Sequence, residues 1–307
     1  MISEPLQKVL KSPLRYPGGK GAFYPYFSEL IKKNDLTGSR YFEPFAGGSG
    51  VALGLLSSNL VSEICLNDAD YHIYSFWNSV LEETERFIDK IQHVAISIEE
   101  WKNQKRIYSD PKKYSVFDVG FSTFYLNRCN RSGILSGAGP IGGYEQKGEW
   151  DLGVRFNKKE LAERILSIGT FKDRISVKNL DAICFLKKCL PRGKNREKIF
   201  IYIDPPYVSA GNRLYLNFYS EDDHKALAQY LIQQINLNWI VTYDDSLLIR
   251  GLYSSCQRWI FTLGYSLQSK QKGTELLIAP KWVQMTDKNK LSTTRWNIVG
   301  KLRRIEK

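Results

Sequence analysis

The chain alternates apolar strand-like runs with helical ones, and the strand-like runs stop at glycine, acid or proline. RYFEPFA at 40–46 reads as a short buried strand ending in glycines, and GVALGLLSSNL from Gly50 as a helix packed closely on it. EICLND at 63–68 is a second strand that ends on acids, followed by a helical pattern in YHIYSFWNSVLEETERFIDKIQ. The alternation resumes after about residue 160. There ISVKN, KIFIYI and NWIVTYDD read as strands, DAICFLKKCL and EDDHKALAQYLIQQI as helices, and SLQSKQKG with ELLIAP as a terminal hairpin. This order predicts an α/β fold, a doubly wound Rossmann-like sheet with its ligand at the carboxyl ends of the strands.

Residues 95–160 have another texture, rich in Tyr, Asn, Arg and Gly. Six glycines between Gly133 and Gly148 exclude a helix there and leave an extended hairpin or a loop. This region is the expected partner-contacting insertion.

Charge narrows the partner. Lys and Arg number 44 against 32 Asp and Glu, a net +12, which favours a polyanion. No basic amphipathic stretch with a lipid-facing side stands out, so nucleic acid leads over a membrane. The segment 281–307 holds eight Lys/Arg and two acids; it reads equally as a phosphate-contacting extension or a solvated tail. No apolar run approaches the roughly 18 residues needed to cross a bilayer, and no apolar stretch near Met1 resembles a secretion signal. Five cysteines without C-x-x-C spacing and three histidines give no metal cluster, so no metal is expected and reduced thiols in a cytoplasm are.

Four motifs carry chemistry. FEPFAGGSG at 42–50 is a strand-to-helix turn whose small residues let a ligand approach the backbone, beside a helix N-terminus that favours negative charge. Asp68 lies twenty positions after Gly48, where an acid commonly grips ribose hydroxyls. Asp68 could instead cap the following helix, and Asp70 competes for both roles. Asp204-Pro205-Pro206-Tyr207 follows KIFIYI. Two prolines end the ladder and fix a rigid exit. Asp204 and the Pro205 carbonyl can then face one point as acceptors for an exocyclic amine, while Tyr207 offers a face for base stacking. Finally, LRYPGGK at 14–20 sets Arg15 and Lys20 around a Pro-Gly-Gly turn, like an anion-binding loop but without the G-K-[ST] of a P-loop.

In this order the motifs resemble the Dam-like, alpha-group adenine-N6 DNA methyltransferases. RYPGGK, FEPFAGG, LND, the YLNR segment with its Gly-rich continuation, DPPY and KGTELLI span nearly the whole chain. The resemblance implies S-adenosylmethionine as cofactor and double-stranded DNA as substrate. It also implies two parts: a catalytic domain of residues 1–80 and 165–307, and a mainly helical target-recognition subdomain, 81–164, bearing a β-hairpin. Tyr16 and Lys20 would contact the methyl donor, with Tyr16 standing where Dam enzymes carry Trp. Phe45 and Gly47 would line the donor pocket, Asp68 would hold the ribose, and Asp181 would accept from the donor adenine unless it is a helix cap. Asp204, Pro205, Pro206 and Tyr207 would form the catalytic corner, acting by orientation and electrostatics. Asn127, Arg128, Asn130 and Arg131 would contact DNA, although the chain departs from Dam after the NR pair. A cognate restriction or defence-system partner stays open.

Three alternatives compete. One is methyl transfer to another amine, such as cytosine N4, RNA adenine or a glutamine. Another is a nicotinamide oxidoreductase, which leaves DPPY unexplained. The third is a non-catalytic DNA-binding relative.

Overall fold

The computed structural model describes residues 9–15, 19–196, 198–208, 219–265, 271–286 and 303–305. In chain order these form helix α1 (Tyr24–Lys33), strand β1 (Ser39–Glu43), α2 (Gly50–Ser57), β2 (Val61–Asn67) and α3 (Tyr71–Glu82). Next come α4 (Thr84–His93), α5 (Ile98–Ser109), α6 (Val116–Cys129), α7 (Lys158–Gly169), β3 (Ile175–Lys178), α8 (Ala182–Cys189) and β4 (Ile199–Ile203). The chain ends with α9 (Glu221–Ile232), β5 (Asn238–Asp244), α10 (Leu247–Leu252), β6 (Gln257–Tyr265), β7 (Gln271–Ala279) and the two-residue β8 (Arg303–Arg304).

The eight strands form one sheet in the order β3-β2-β1-β4-β5-β7-β6-β8. The first five are parallel and the last three antiparallel. From β1 the chain winds outward through β2 and β3, then returns to β4 on the other side of β1. That reversal opens a crevice at the carboxyl ends of β1 and β4.

Strand periodicity sorts the core into two layers. Tyr41, Phe200 and Tyr202 face the layer built from α1, α2 and α3, whereas Phe42, Ile199, Ile201 and Ile203 face the layer of α8, α9 and α10. All seven are at most 1% exposed, and burying each large side chain stabilises the fold by about 1.5–3 kcal/mol. Helix α2 is buried over nearly all its length. A Cβ on Gly50 would sit 3.0 Å from the Gly21 Cα, so the turn carrying Lys20 can lie directly against α2.

Three sequence expectations change in detail. The helix expected over 71–92 breaks at Glu83, whose backbone leaves the helical region (φ −129°, ψ 43°). The break lets Phe87 and Ile91 of α4 turn into the core. The hairpin expected in the insert is a single antiparallel bridge, Asn130 to Pro140, flanked by the Arg131 N–H to the Gly139 carbonyl and the Ile141 N–H to the Cys129 carbonyl. On one side it stops because Cys129 already belongs to α6, whose N–H groups bond within the helix. The terminal hairpin is β6–β7, and its turn lies outside the described residues, as does most of the basic tail.

The insert packs onto α3. Helices α3 and α6 approach so closely that a Cβ on Gly120 would fall 2.4 Å from the Ser75 carbonyl. Phe76 of α3 stacks on Phe124 of α6 at 6.0 Å, and Phe87 meets Phe124 edge-on at 5.4 Å. One apolar cluster therefore runs from the sheet into the insert.

Candidate active site

Strand β4 delivers Asp204 to the crevice. Thr242 Oγ1, on neighbouring β5, donates to Asp204 Oδ1 at 2.6 Å. Because that hydroxyl's one proton is engaged, the buried Tyr202 hydroxyl must be the donor in its 3.0 Å contact with Thr242. Lys20 Nζ lies 3.4 Å from the same Asp204 oxygen and 3.5 Å from Glu275 Oε2 of β7. It donates to the Tyr207 hydroxyl at 2.6 Å and stands 5.0 Å from the centre of that ring. Burial pulls the Lys20 pKa down, but Asp204 and Glu275 more than offset this and leave it raised. No described residue donates to Asp204 Oδ2. Pro205 is buried and Pro206 lines the crevice.

Strand β1 ends in Glu43, 4% exposed. Its Oε2 has no hydrogen-bond partner among the described residues. Burial, reinforced by Asp204, raises its carboxyl well above the ordinary range. Beyond it Phe45 meets Tyr219 edge-on at 5.5 Å. Gly47 has a positive φ of 44°, a conformation glycine adopts without Cβ strain. Its carbonyl accepts from Trp77 Nε1 at 2.9 Å and its N–H donates to Asp68 Oδ2 at 2.9 Å.

Asp68 thus ties the end of β2 to the glycine turn after β1, and its Oδ1 accepts from the Asp70 N–H at 3.0 Å. Burial and the Asp70 carboxylate push Asp68 up to about 7, against those two backbone hydrogen bonds. The cap of α3 is Asp70, which accepts from the His72 N–H at 2.9 Å. At the end of β3, Asp181 caps α8 by accepting from the Cys184 N–H at 3.0 Å, with its side chain on the crevice rim.

These strand ends enclose one cavity of about 600 Å³. Glu43, Phe45, Gly47, Asp68, Asp181 and Asp204 all line it. Lys20 lines it too, from the Asp204 side. Tyr16 lies outside the described residues. Sequence reasoning did not single out Glu43, Thr242, Glu275 or Asn67. Asn67 is fully buried, donates to the Pro44 and Leu180 carbonyls and accepts from the Leu180 N–H, bracing three strand exits. Its signal was an amide closing an apolar strand in LND; Glu43 stood unremarked inside FEPF.

The four residues of LNRCNR divide. Asn127 accepts from the Arg15 N–H at 2.6 Å and donates to the Arg15 and Gly133 carbonyls, both at 2.9 Å. Asn130 accepts from Trp101 Nε1 at 2.8 Å and donates to the Ile134 carbonyl at 2.8 Å. Both are at most 1% exposed. Arg128 is buried beside Arg15 and Arg164; desolvation and those two cations lower its pKa, and its Nε has no partner among the described residues. Arg131 is exposed.

A wound α/β sheet with a carboxylate-lined crevice and a proline corner is the architecture of an amino-group methyltransferase. The model of the D12 class N6 adenine-specific DNA methyltransferases matches residues 16–265, and the chain belongs to that family. Among solved structures, it is similar to a conserved hypothetical protein of Streptococcus pyogenes at 11% identity and a TM-score of 0.32, covering 81% of this chain and 89% of that one. Among the described residues, no group of three or more His, Cys, Asp or Glu could hold a metal ion, and no helix is long and apolar enough to cross a membrane.

Proposed function

We propose that this protein methylates the N6 amino group of adenine at specific sites in double-stranded DNA, using S-adenosylmethionine, with the target base extruded into the crevice. The observation that carries this reading is the joining of the Asp204 corner to the Gly47–Asp68 turn in one cavity.

The residues fit that donor. The buried Glu43 carboxyl suits a cationic group, Asp68 keeps acceptor capacity for a ribose diol, and Phe45 offers an aromatic wall. Asp181 keeps one carboxylate oxygen beyond its cap contact for an adenine amine. S-adenosylmethionine would supply an electrophilic methyl on a positively charged sulfur. The protein's task is then to position and desolvate. Asp204 Oδ1 is clamped by Thr242, which turns Oδ2 toward a target amine. With the Pro205 carbonyl as second acceptor, it would oppose delocalisation of the amine lone pair into the ring. Extruding a base costs a few kcal/mol, which stacking on Tyr207 would partly offset.

For DNA contact, Arg131 is the exposed candidate in the insert. The crowded Arg128 guanidinium would be relieved by a phosphate. Asn127 and Asn130 then act from behind by holding the loop that carries Arg131. Residues 81–164 serve as the recognition part and 1–80 with 165–307 as the catalytic part. The proposed compartment is the cytoplasm.

The test is transfer of labelled methyl groups to duplex DNA beside an Asp204→Ala control, with methylation-sensitive sequencing of the product. Transfer to RNA or protein, but not to DNA, would overturn the reading.

A further inference from the structure

We propose that Glu275 is a positioning residue for methyl transfer: it holds the Lys20 ammonium away from direct contact with Asp204, so that the charge of Lys20 supports Asp204 without occupying it. The inference rests on the methyltransferase reading of the site and extends it to a residue on the antiparallel side of the sheet.

The geometry around Lys20 is that of a shared cation. Its ammonium stands 3.4 Å from Asp204 and 3.5 Å from Glu275. A direct ammonium–carboxylate hydrogen bond would be about 2.7–2.9 Å. The short contact, 2.6 Å, goes instead to the neutral Tyr207 hydroxyl. An ammonium facing Asp204 alone would close on it. It would then compete with Thr242 for Oδ1 and turn the carboxylate, moving Oδ2 off the target amine.

Glu275 is built to prevent this. It is 1% exposed. It lies on β7, paired with Asp244 of β5 on one side and Phe261 of β6 on the other, so its backbone is fixed from both edges. By strand alternation it shares a face with Leu277 and Ala279, in the layer where the Lys20 turn packs. Among the described residues, the groups facing the ammonium come from two elements: Asp204 and Tyr207 from the β4 exit, and Glu275 from β7. Burial disfavours an ammonium here, and Asp204 and Glu275 together more than offset that cost for Lys20. Thr242, fully buried on β5, then fixes Asp204 through its own hydrogen bond to Oδ1.

Glu275→Gln keeps the shape and removes the charge. In the protein without donor or DNA, the Lys20 ammonium, followed by nitrogen-detected NMR, should titrate at lower pH in Glu275→Gln than in the wild type. With DNA and donor, kcat should fall about 10–100-fold, the scale of a small misplacement at a reacting centre. The KM for DNA and the donor Kd should stay within about threefold. Lys20→Met combined with Glu275→Gln should lose much less than the product of the two single losses, because both changes break the same ammonium–carboxylate contact. Glu275→Asp, one methylene shorter, should recover part of kcat.

An unchanged Lys20 titration, or a lower melting temperature with normal kcat per folded molecule, would overturn the proposal. If the wild type transfers no methyl to DNA, the proposed function fails, while the titration still decides whether Glu275 holds Lys20.

Discussion

The strand-end cavity and the LNRCNR segment of the insert are both dense in polar residues, and they are built in opposite senses. At the strand ends Asp68, Asp181 and Asp204 each accept a fixing hydrogen bond and keep acceptor capacity toward open space. In the insert, Asn127 and Asn130 direct their amides into the protein and are closed off from solvent. The lesson is positional. A side chain just past a strand has left the ladder and points where the sheet stops, so its polar atoms have few protein partners. A polar residue in the last turn of a packed helix or at its cap, like Asn127 and Asn130, is surrounded, and stays only if the protein satisfies it.

The sharpest break of this comparison is Asp204→Ala. It removes the one carboxylate of the corner that Thr242 orients. Methyl incorporation into DNA should fall by about 10²–10³-fold or more, the scale of losing one oriented electrostatic partner. Equilibrium dialysis with donor should show affinity kept within a few-fold. Retained activity would mean that the corner is a scaffold, as the two asparagines are.

Asn127→Ala tests the other side. It would strand the Arg15 N–H and the Arg15 and Gly133 carbonyls, three backbone groups it now pairs. Each buried group left unpaired costs about 1–3 kcal/mol, less where water enters. We expect a loss of several degrees in melting temperature, and loosening of the Arg15 and Gly133 segments in hydrogen exchange. A normal melting temperature with weakened DNA binding would instead assign Asn127 to base contact.

How much of this was legible in the chain follows the same division. The wound sheet and a ligand crevice at its strand ends could be read from FEPFAGG, LND and DPPY, because glycine, acid and proline at strand exits have few other uses; the strand order could not. Glu43 was hidden among apolar neighbours, where an acid at a strand's last position carries no periodic signal. Glu275 and Thr242 lie inside strands, and only register brings them near Asp204. Asn127 and Asn130 look in sequence like any hydrogen-bonding readers. What decides between reading and bracing is burial, and burial of the end of α6 by its neighbours is a tertiary fact.

Asp68 provides a graded test within the cavity. Its carboxyl titrates at about 7 in the folded chain, well above the ordinary carboxylate range. The sign differs for folding and for binding. Holding Asp68 ionised in the fold is unfavourable, so its contribution to stability falls as pH rises from about 4 to 7. Donor binding through ribose hydroxyls needs the ionised acceptor, so affinity should rise over pH 6–8, by at most about tenfold per unit. Calorimetric titration at several pH values measures this. Asp68→Asn should flatten the profile as well as weaken binding, and an unchanged slope would move the ribose contact to another group.

The smallest expected effect is the most specific to the insert. Arg131 is the exposed cation of its segment, and its neighbours hold the loop beneath it. If it meets a phosphate, Arg131→Ala should weaken DNA binding several-fold for all sequences and lower the slope of log K against log salt by about one. If it meets a guanine edge, the loss should depend on sequence, about 1–3 kcal/mol at one base pair. Fluorescence anisotropy with specific and scrambled duplexes at three salt concentrations separates these. Donor affinity should not move in either case, because among the described residues no hydrogen bond from Arg131 reaches the cavity wall. Loss of donor and DNA binding together would show that the two regions act as one, and the contrast between an open strand-end site and a self-satisfied insert would have to be given up.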